Sequence, residues 1–315
     1  MQARTIGGAG LVSAPIGLGC LAFTGGYGRV SKAEGVRTIR HALGIGITML
    51  DIADFYAAGD VERLVGQAVV RRRDGVVIAT RGGMRFNSDG RPTELDASPA
   101  YLTEACDASL HRLGVDHIDL YYLAGVDPRV PVEESVGQLA ELVQAGKIRY
   151  IGLSGVSPNQ LRRSHAVHPV SAVAAEYSLW DQRSAAGLLT AARELGVGVV
   201  ACRPLGRGFL TGKITKPDAF GPADYRRSDP RFGPAAFSRS RQLIGAMEQI
   251  AADLDVGLAR LALAWALSGS HDVVPVPSTR DLLHLEMNAS AVTLRLSAAD
   301  HHRLTALFWP APGPR

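Results

Sequence analysis

A chain of 315 residues with 46% hydrophobic and 20% charged side chains is that of a folded globular protein, and this balance excludes general disorder. The formal net charge of +4 is small and the longest basic run is the triplet Arg71-Arg72-Arg73, which a solvated helix end explains, so nucleic acid is not an expected partner. Three cysteines (Cys20, Cys106, Cys202) without metal-type spacing, an N-terminus Met1-QARTIGGAG unlike a signal peptide, and no stretch approaching the ~18 apolar residues of a membrane span lead to three expectations: a reducing, cytoplasmic setting, no metal and no membrane contact.

Along the chain, short apolar runs alternate with amphipathic ones. The predicted order is strand Ile16–Leu18, helix Lys32–Leu43, strand Met49–Asp51, helix Val61–Val70, strand Val76–Thr80 and helix Pro99–Leu113. It continues with strand Ile118–Leu123, helix Pro131–Ala145, strand Tyr150–Leu153, helix Pro158–Ala166, strand Ser171–Ala175 and helix Gln182–Leu195. Strand Val197–Cys202, helix Gln242–Asp253 and strand Val273–Pro275 complete it. Ser98-Pro99 and Ser157-Pro158 pair an N-cap with an N1 proline, and Gly114, Gly146 and Gly196 stand where a left-handed residue ends a helix.

Strict alternation demands parallel strands joined by crossover helices, and eight strands is the closing number of a barrel. The expectation is an α/β protein, one (β/α)8 TIM barrel over residues 1–315, with an irregular loop after the seventh strand. That loop, Ile214–Ser238, is rich in Pro, Gly, Asp and Arg, has no hydrophobic period, and reads as a lid over the substrate. A doubly wound open sheet is the competitor, but Gly17-LGCLAF does not complete its glycine-rich turn.

Several ordered blocks resemble the aldo-keto reductase superfamily from Arg4 to Asn288: Leu110-HRLGVDHIDLYYL, Val126-DPRVPVEESVGQLAELVQAGKIRYIGLS, Glu176-YSLWDQ, Pro204-LGRGFLTGK and Pro275-VPSTRDLLHLEMN. The resemblance implies a catalytic Asp, Tyr, Lys and His on successive strand ends. Here they fall on Asp51, Tyr56, Arg81 in Ile78-ATRGG, and Ala124 in Leu120-YYLAGVDP. It also implies NADPH as cofactor. Ser154, Leu205, Gly206 and Gly208 would lie along the nicotinamide and pyrophosphate, the two glycines letting amides approach an anion. Ser278, Thr279 and Arg280 would meet the 2′-phosphate, with Asn288 on the adenine. The family's carboxamide and stacking positions are changed to Gly155, Ala174 and Cys202, and Arg203 brings a charge whose partner the sequence does not name.

Three functions follow. The first is an NADPH-dependent oxidoreductase acting on a small carbonyl or conjugated enone, with Tyr56 as proton donor. The second is a redox-neutral dehydratase, cyclase or isomerase in which Tyr56, Asp51 and Arg81 transfer protons. The third is a non-catalytic NADPH-binding sensor. Arginine keeps the charge of the lysine it replaces but holds its proton permanently, so Arg81 can polarise Tyr56 and cannot relay to it. Cys20 and Cys202 read as filler at strand ends, and no histidine is placed to replace Ala124. Substrate and oligomeric state are not legible.

Overall fold

A computed structural model describes residues 1–28, 30–216, 220–221, 224–269 and 272–309, the side chains of Arg183 and Ser184 excepted. The chain opens with an antiparallel hairpin, β1 (Arg4–Ile6) and β2 (Leu11–Ser13). Then follow β3 (Leu18–Gly19), α1 (Lys32–Gly44), β4 (Met49–Asp51), α2 (Asp60–Val69) and β5 (Val77–Gly82). A second hairpin, β6 (Met84–Phe86) and β7 (Pro92–Leu95), precedes α3 (Pro99–Leu113), β8 (Ile118–Leu123), α4 (Val132–Gln144) and β9 (Ile148–Ser154). The second half runs α5 (Pro158–Val167), β10 (Val170–Glu176), α6 (Arg183–Glu194), β11 (Gly198–Cys202), α7 (Pro234–Asp253), α8 (Leu258–Ser268), β12 (Val273–Val276), α9 (Leu282–Ser290) and α10 (Ala298–Phe308).

Eight strands, β3, β4, β5, β8, β9, β10, β11 and β12, pair in that order, all parallel. The ends meet: Gly17 N–H donates to Pro275 O at 3.0 Å and Gly19 N–H to Pro277 O at 3.1 Å, which joins β3 to the β12 side and closes the barrel. All eight predicted barrel strands are present. Their Val/Ile-rich runs are buried on both faces, as a helix-covered parallel sheet requires.

The caps act as read. Ser98 and Ser157 accept from the amides of Tyr101 and Gln160 at 3.4 and 3.2 Å, and Gly114, Gly146 and Gly196 take φ of 65°, 71° and 66°. The two hairpins and three late helices were not predicted. Helix α8, Leu258-ARLALAWALS, is apolar on nearly every face, so it shows no amphipathic period. The irregular segment is shorter than expected, because α7 starts at Pro234 behind Gly233. Short 3₁₀ turns occupy Tyr225–Ser228 and Pro230–Phe232, while residues 217–219 and 222–223 of the predicted lid lie outside the described residues. Order enters this segment through its aromatic side chains: Phe220, Phe232 and Phe237 pack with Phe209 and Trp265 in a separate apolar cluster.

The barrel interior is filled by Met49, Val77, Leu120, Tyr122, Val200, Val274 and Val276, with Ile6 and Leu11 of the first hairpin in the same cluster. The hairpin is tied to the N-terminal side of β11, where Gly8 N–H donates to Gly196 O at 2.6 Å. Tyr122 is the bulkiest inward group and has room because β9 carries Gly152 beside it. A Cβ at Gly152 would stand 2.3 Å from the Tyr122 ring. Gly152→Ala is therefore expected to cost about 1–3 kcal/mol through overpacking, measured as a lowered urea midpoint at unchanged slope.

Candidate active site at the C-terminal mouth of the barrel

Strand ends place the predicted groups together. Asp51 is the last residue of β4, and Arg81 is the penultimate residue of its neighbour β5. Arg81 Nη2 donates to both Asp51 carboxylate oxygens at 2.7 Å, and its Nε donates to Ile52 O at 3.1 Å. Its guanidinium also lies 5.0 Å from the centre of the Tyr122 ring. Both partners are buried, at 4% and 8% exposure, so each is the other's neutralising charge. Burial pushes the Asp51 carboxyl up while Arg81 pulls it back. Burial opposes the charge of Arg81, but Asp51 together with Tyr56, Cys202 and Tyr122 holds its guanidinium above the usual range.

Tyr56 begins a short turn, Tyr56–Gly59, in which Ala57 and Ala58 take left-handed φ of 50° and 51°. Such backbone costs about 1 kcal/mol or more per residue and persists where its surroundings enforce it. The tip of the β6–β7 hairpin does so: a Cβ on Gly90 would stand 2.4 Å from Ala58 N and 2.7 Å from Phe55 O. Burial pushes the Tyr56 phenol above its usual range, against the pull of Arg81, so the group is protonated at neutral pH. Cys202 is pushed to about 11 and Cys20 well upward by burial, which leaves both as thiols rather than nucleophiles.

One long cavity of about 1560 Å³ at this mouth is lined by Asp51, Tyr56, Arg81, Ala124, Ser154, Gly155, Ala174 and Cys202. Leu205, Gly208, Ser278, Thr279, Arg280 and Asn288 line the same cavity. Gly206 does not line it, because its backbone packs against Trp180, whose ring would lie 2.9 Å from a Cβ there. The amides of the two glycines are used within the turn itself. Gly206 N–H donates to Arg203 O at 2.8 Å and Gly208 N–H to Leu205 O at 3.0 Å, because the turn closes on itself. Around Ser278 the order is set by hydrogen bonds: its Oγ accepts from Ala22 N–H at 2.8 Å, and Thr279 Oγ1 accepts from Asp281 N–H at 3.1 Å.

The partner of Arg203 is Glu176, at the end of β10. Arg203 Nη1 donates to Glu176 Oε2 at 3.0 Å, as does Arg207 Nη2, while Arg231 Nη1 donates to Oε1 at 2.8 Å. Asp229 pairs with Arg207 and Arg231, so the segment after β11 is pinned to the sheet by charge. A second strap crosses the mouth. The Tyr27 and Tyr225 hydroxyls are hydrogen-bonded, and the Arg226 guanidinium lies 4.8 Å from the Tyr27 ring centre and 4.4 Å from that of Phe220. Sequence reasoning missed Tyr27, Tyr225 and Glu176; their one signal was the aromatic in Gly25-Gly26-Tyr27-Gly28 beside a predicted strand end.

Behind the Tyr56 loop sits a buried acid that the sequence reading passed over. Asp54 is 1% exposed, and burial, reinforced by Glu62, pushes its carboxyl to about 8 against the pull of Arg112. Its Oδ1 has no hydrogen-bond partner among the described residues. Glu62 is satisfied by Thr80 Oγ1 at 2.7 Å and Arg112 Nε at 2.6 Å.

A closed barrel of eight parallel strands with a long cavity at its C-terminal mouth defines the (β/α)8 class. Residues 15–308 match the model of the aldo/keto reductase family, and the chain belongs to that family. It is 38% identical over 304 residues to "Probable aldo-keto reductase 1" of Glycine max, covering 95% of this chain and 87% of the relative. It is 39% identical over 289 residues to an NADP(+) aldo-keto reductase of Schizosaccharomyces pombe, covering 90% and 85%. Among solved structures, a glycerol dehydrogenase of Gluconobacter oxydans superposes with a TM-score of 0.89 at 27% identity, over 98% of this chain and 97% of that one.

Two stability measurements check this electrostatic picture. Arg81→Met is expected to cost about 3–5 kcal/mol by stranding the Asp51 charge, and Asp51→Asn on that background to recover much of it, in denaturant titrations. Asp54 has a raised native pKa, so folding takes up a proton there. Its contribution is complete below its unfolded value near ~4 and is lost as pH rises through about 8. Asp54→Asn should flatten that decline in a Tm-against-pH series.

Proposed function

We propose that the protein is an NADPH-dependent oxidoreductase acting on a small carbonyl or conjugated enone, with Tyr56 as its proton donor. The observation that carries this reading is one continuous cavity lined both by Tyr56 and the Asp51–Arg81 pair and by Ser278, Thr279, Arg280 and Asn288. Its volume exceeds the ~300–1,000 Å³ of ordinary small-ligand sites, which suits a dinucleotide together with a substrate. The residues fit NADPH: Arg280 offers the fork that recognises a phosphate, and Lys213 lines the same cavity. When bound, the nicotinamide supplies the hydride.

The chain's own residues supply the proton. Tyr56 is protonated at neutral pH and therefore a donor to a developing alkoxide or enolate. Arg81, fixed by Asp51, stabilises the phenolate left behind by its charge and cannot itself give up a proton. At the position where the family places histidine stands Ala124, which offers no donor to the substrate oxygen. A single missing donor of that kind is worth ~10²–10³ in rate, so slow turnover of simple aldehydes is expected.

One observation favours the redox-neutral alternative. Ala124, Gly155 and Ala174 line the cavity with small side chains, and a Cβ at Gly155 would meet nothing nearer than 3.8 Å. A wall so bare gives a nicotinamide ring few polar anchors, while Tyr56 and Arg81 retain the means to move a proton.

Fluorescence titration with NADPH separates the readings. Micromolar binding, followed by consumption of NADPH with carbonyl or enone substrates, is the expected result; no binding up to millimolar concentrations would leave the redox-neutral reading. Tyr56→Phe should abolish turnover and change the NADPH Kd by about twofold at most, since the lost group acts on the substrate.

A further inference from the structure

Of the arginines around Glu176, Arg203 leaves the most donors open: among the described residues Arg207 lacks a partner only at Nε and Arg231 at none. Arg81 spends Nη2 on Asp51 and Nε on Ile52 O. Arg207 and Arg231 each bond both Glu176 and Asp229. Arg203 makes one hydrogen bond among the described residues, Nη1 to Glu176, and shares that acceptor oxygen with Arg207. Among the described residues its Nε and Nη2 donors have no acceptor; its side chain is 43% exposed, and it lines the cavity.

The backbone is strained to put it there. Arg203 has φ +51°, a left-handed conformation that a non-glycine residue rarely adopts, and the turn is held by Gly206 N–H on its carbonyl at 2.8 Å. Strain of this kind gathers at ligand-holding positions. Its charge acts on both the Tyr56 phenol and the Cys202 thiol, which places it at the chemical end of the cavity. Ala124, Gly155 and Ala174 line that end without any charge.

We infer that Arg203 binds the carboxylate of the substrate, so that the site takes small keto acids or conjugated enoic acids in preference to neutral aldehydes and ketones. The inference rests on the oxidoreductase reading for its carbonyl or enone, and on Arg203 alone for its carboxylate. A guanidinium presents parallel N–H groups that match a carboxylate, and one held at Nη1 by Glu176 still offers Nε and Nη2 as such a pair. With an acid seated on this fork and its carbonyl toward Tyr56, the substrate oxygen is fixed at two points, which supplies the orientation that Ala124 cannot.

The test is binding, so that it does not depend on turnover. Thermal shift and fluorescence titration would compare 2-oxobutanoate with its neutral analogue 2-oxobutanamide, with and without NADPH, on the wild-type protein, Arg203→Met and Arg203→Lys. Wild type should bind the acid at least tenfold more tightly than the amide. Arg203→Met should weaken acid binding by about 10- to 100-fold, Arg203→Lys less, and both should keep the NADPH Kd within about twofold. Equal binding of acid and amide, no binding of the acid, or a loss in Arg203→Met that falls on NADPH instead would each overturn the inference. Acid-selective binding lost in Arg203→Met, together with no NADPH oxidation, would sustain the carboxylate site and sink the reductase reading.

Discussion

The site exists because the barrel closes, and closure passes through a strand of two residues. Leu18–Gly19 pairs with β4 on one side, while Gly17 and Gly19 reach Pro275 and Pro277 on the other. That seam brings the first loop against the loop after β12, where Ser278 Oγ takes the Ala22 amide. Residues more than 250 positions apart, Ala22 and Ser278, thus become adjacent walls of one cavity. Without that pairing Tyr56 and Arg280 would belong to different ends of an open sheet.

Within this frame the charges are arranged in closed accounts rather than singly. Asp51 and Arg81 neutralise each other at the floor, and Glu176, Asp229, Arg207 and Arg231 do so at the rim. In a low-dielectric setting an unmatched charge is costly, so a cation left half-paired and open to the cavity is a statement about what enters. Burial also fixes the protonation pattern, against the pull of the arginine in the floor. Of the groups around Tyr56, the phenol and both thiols stay neutral and Arg81 stays charged.

Most of the barrel was legible because its signals are local: Val/Ile runs, serine–proline starts and glycine ends. The Asp51–Arg81 pair was legible because both lie at strand ends two neighbours share. What escaped depended on contacts distant in sequence. The β6–β7 hairpin is a few polar residues that matter because Gly90 leans on Ala58, and α8 hides its helix in uniform hydrophobicity. The grip of Glu176 on Arg203, Arg207 and Arg231 joins three separate segments, which no local pattern encodes. The glycines after β11 show their conformational freedom in the sequence, while the hydrogen bonds their amides make within the turn appear only in the fold.

The strap from Tyr27 to Tyr225 has a consequence for traffic. Arg226 is wedged between the Tyr27 and Phe220 rings and anchored by Asp224, so the strap is a latch of aromatic and charged contacts across the cavity mouth. For a long molecule seated beneath this strap, release would require these contacts to break, and its residence time would then include the cost of parting Tyr27 from Tyr225 as well as the loss of its own contacts.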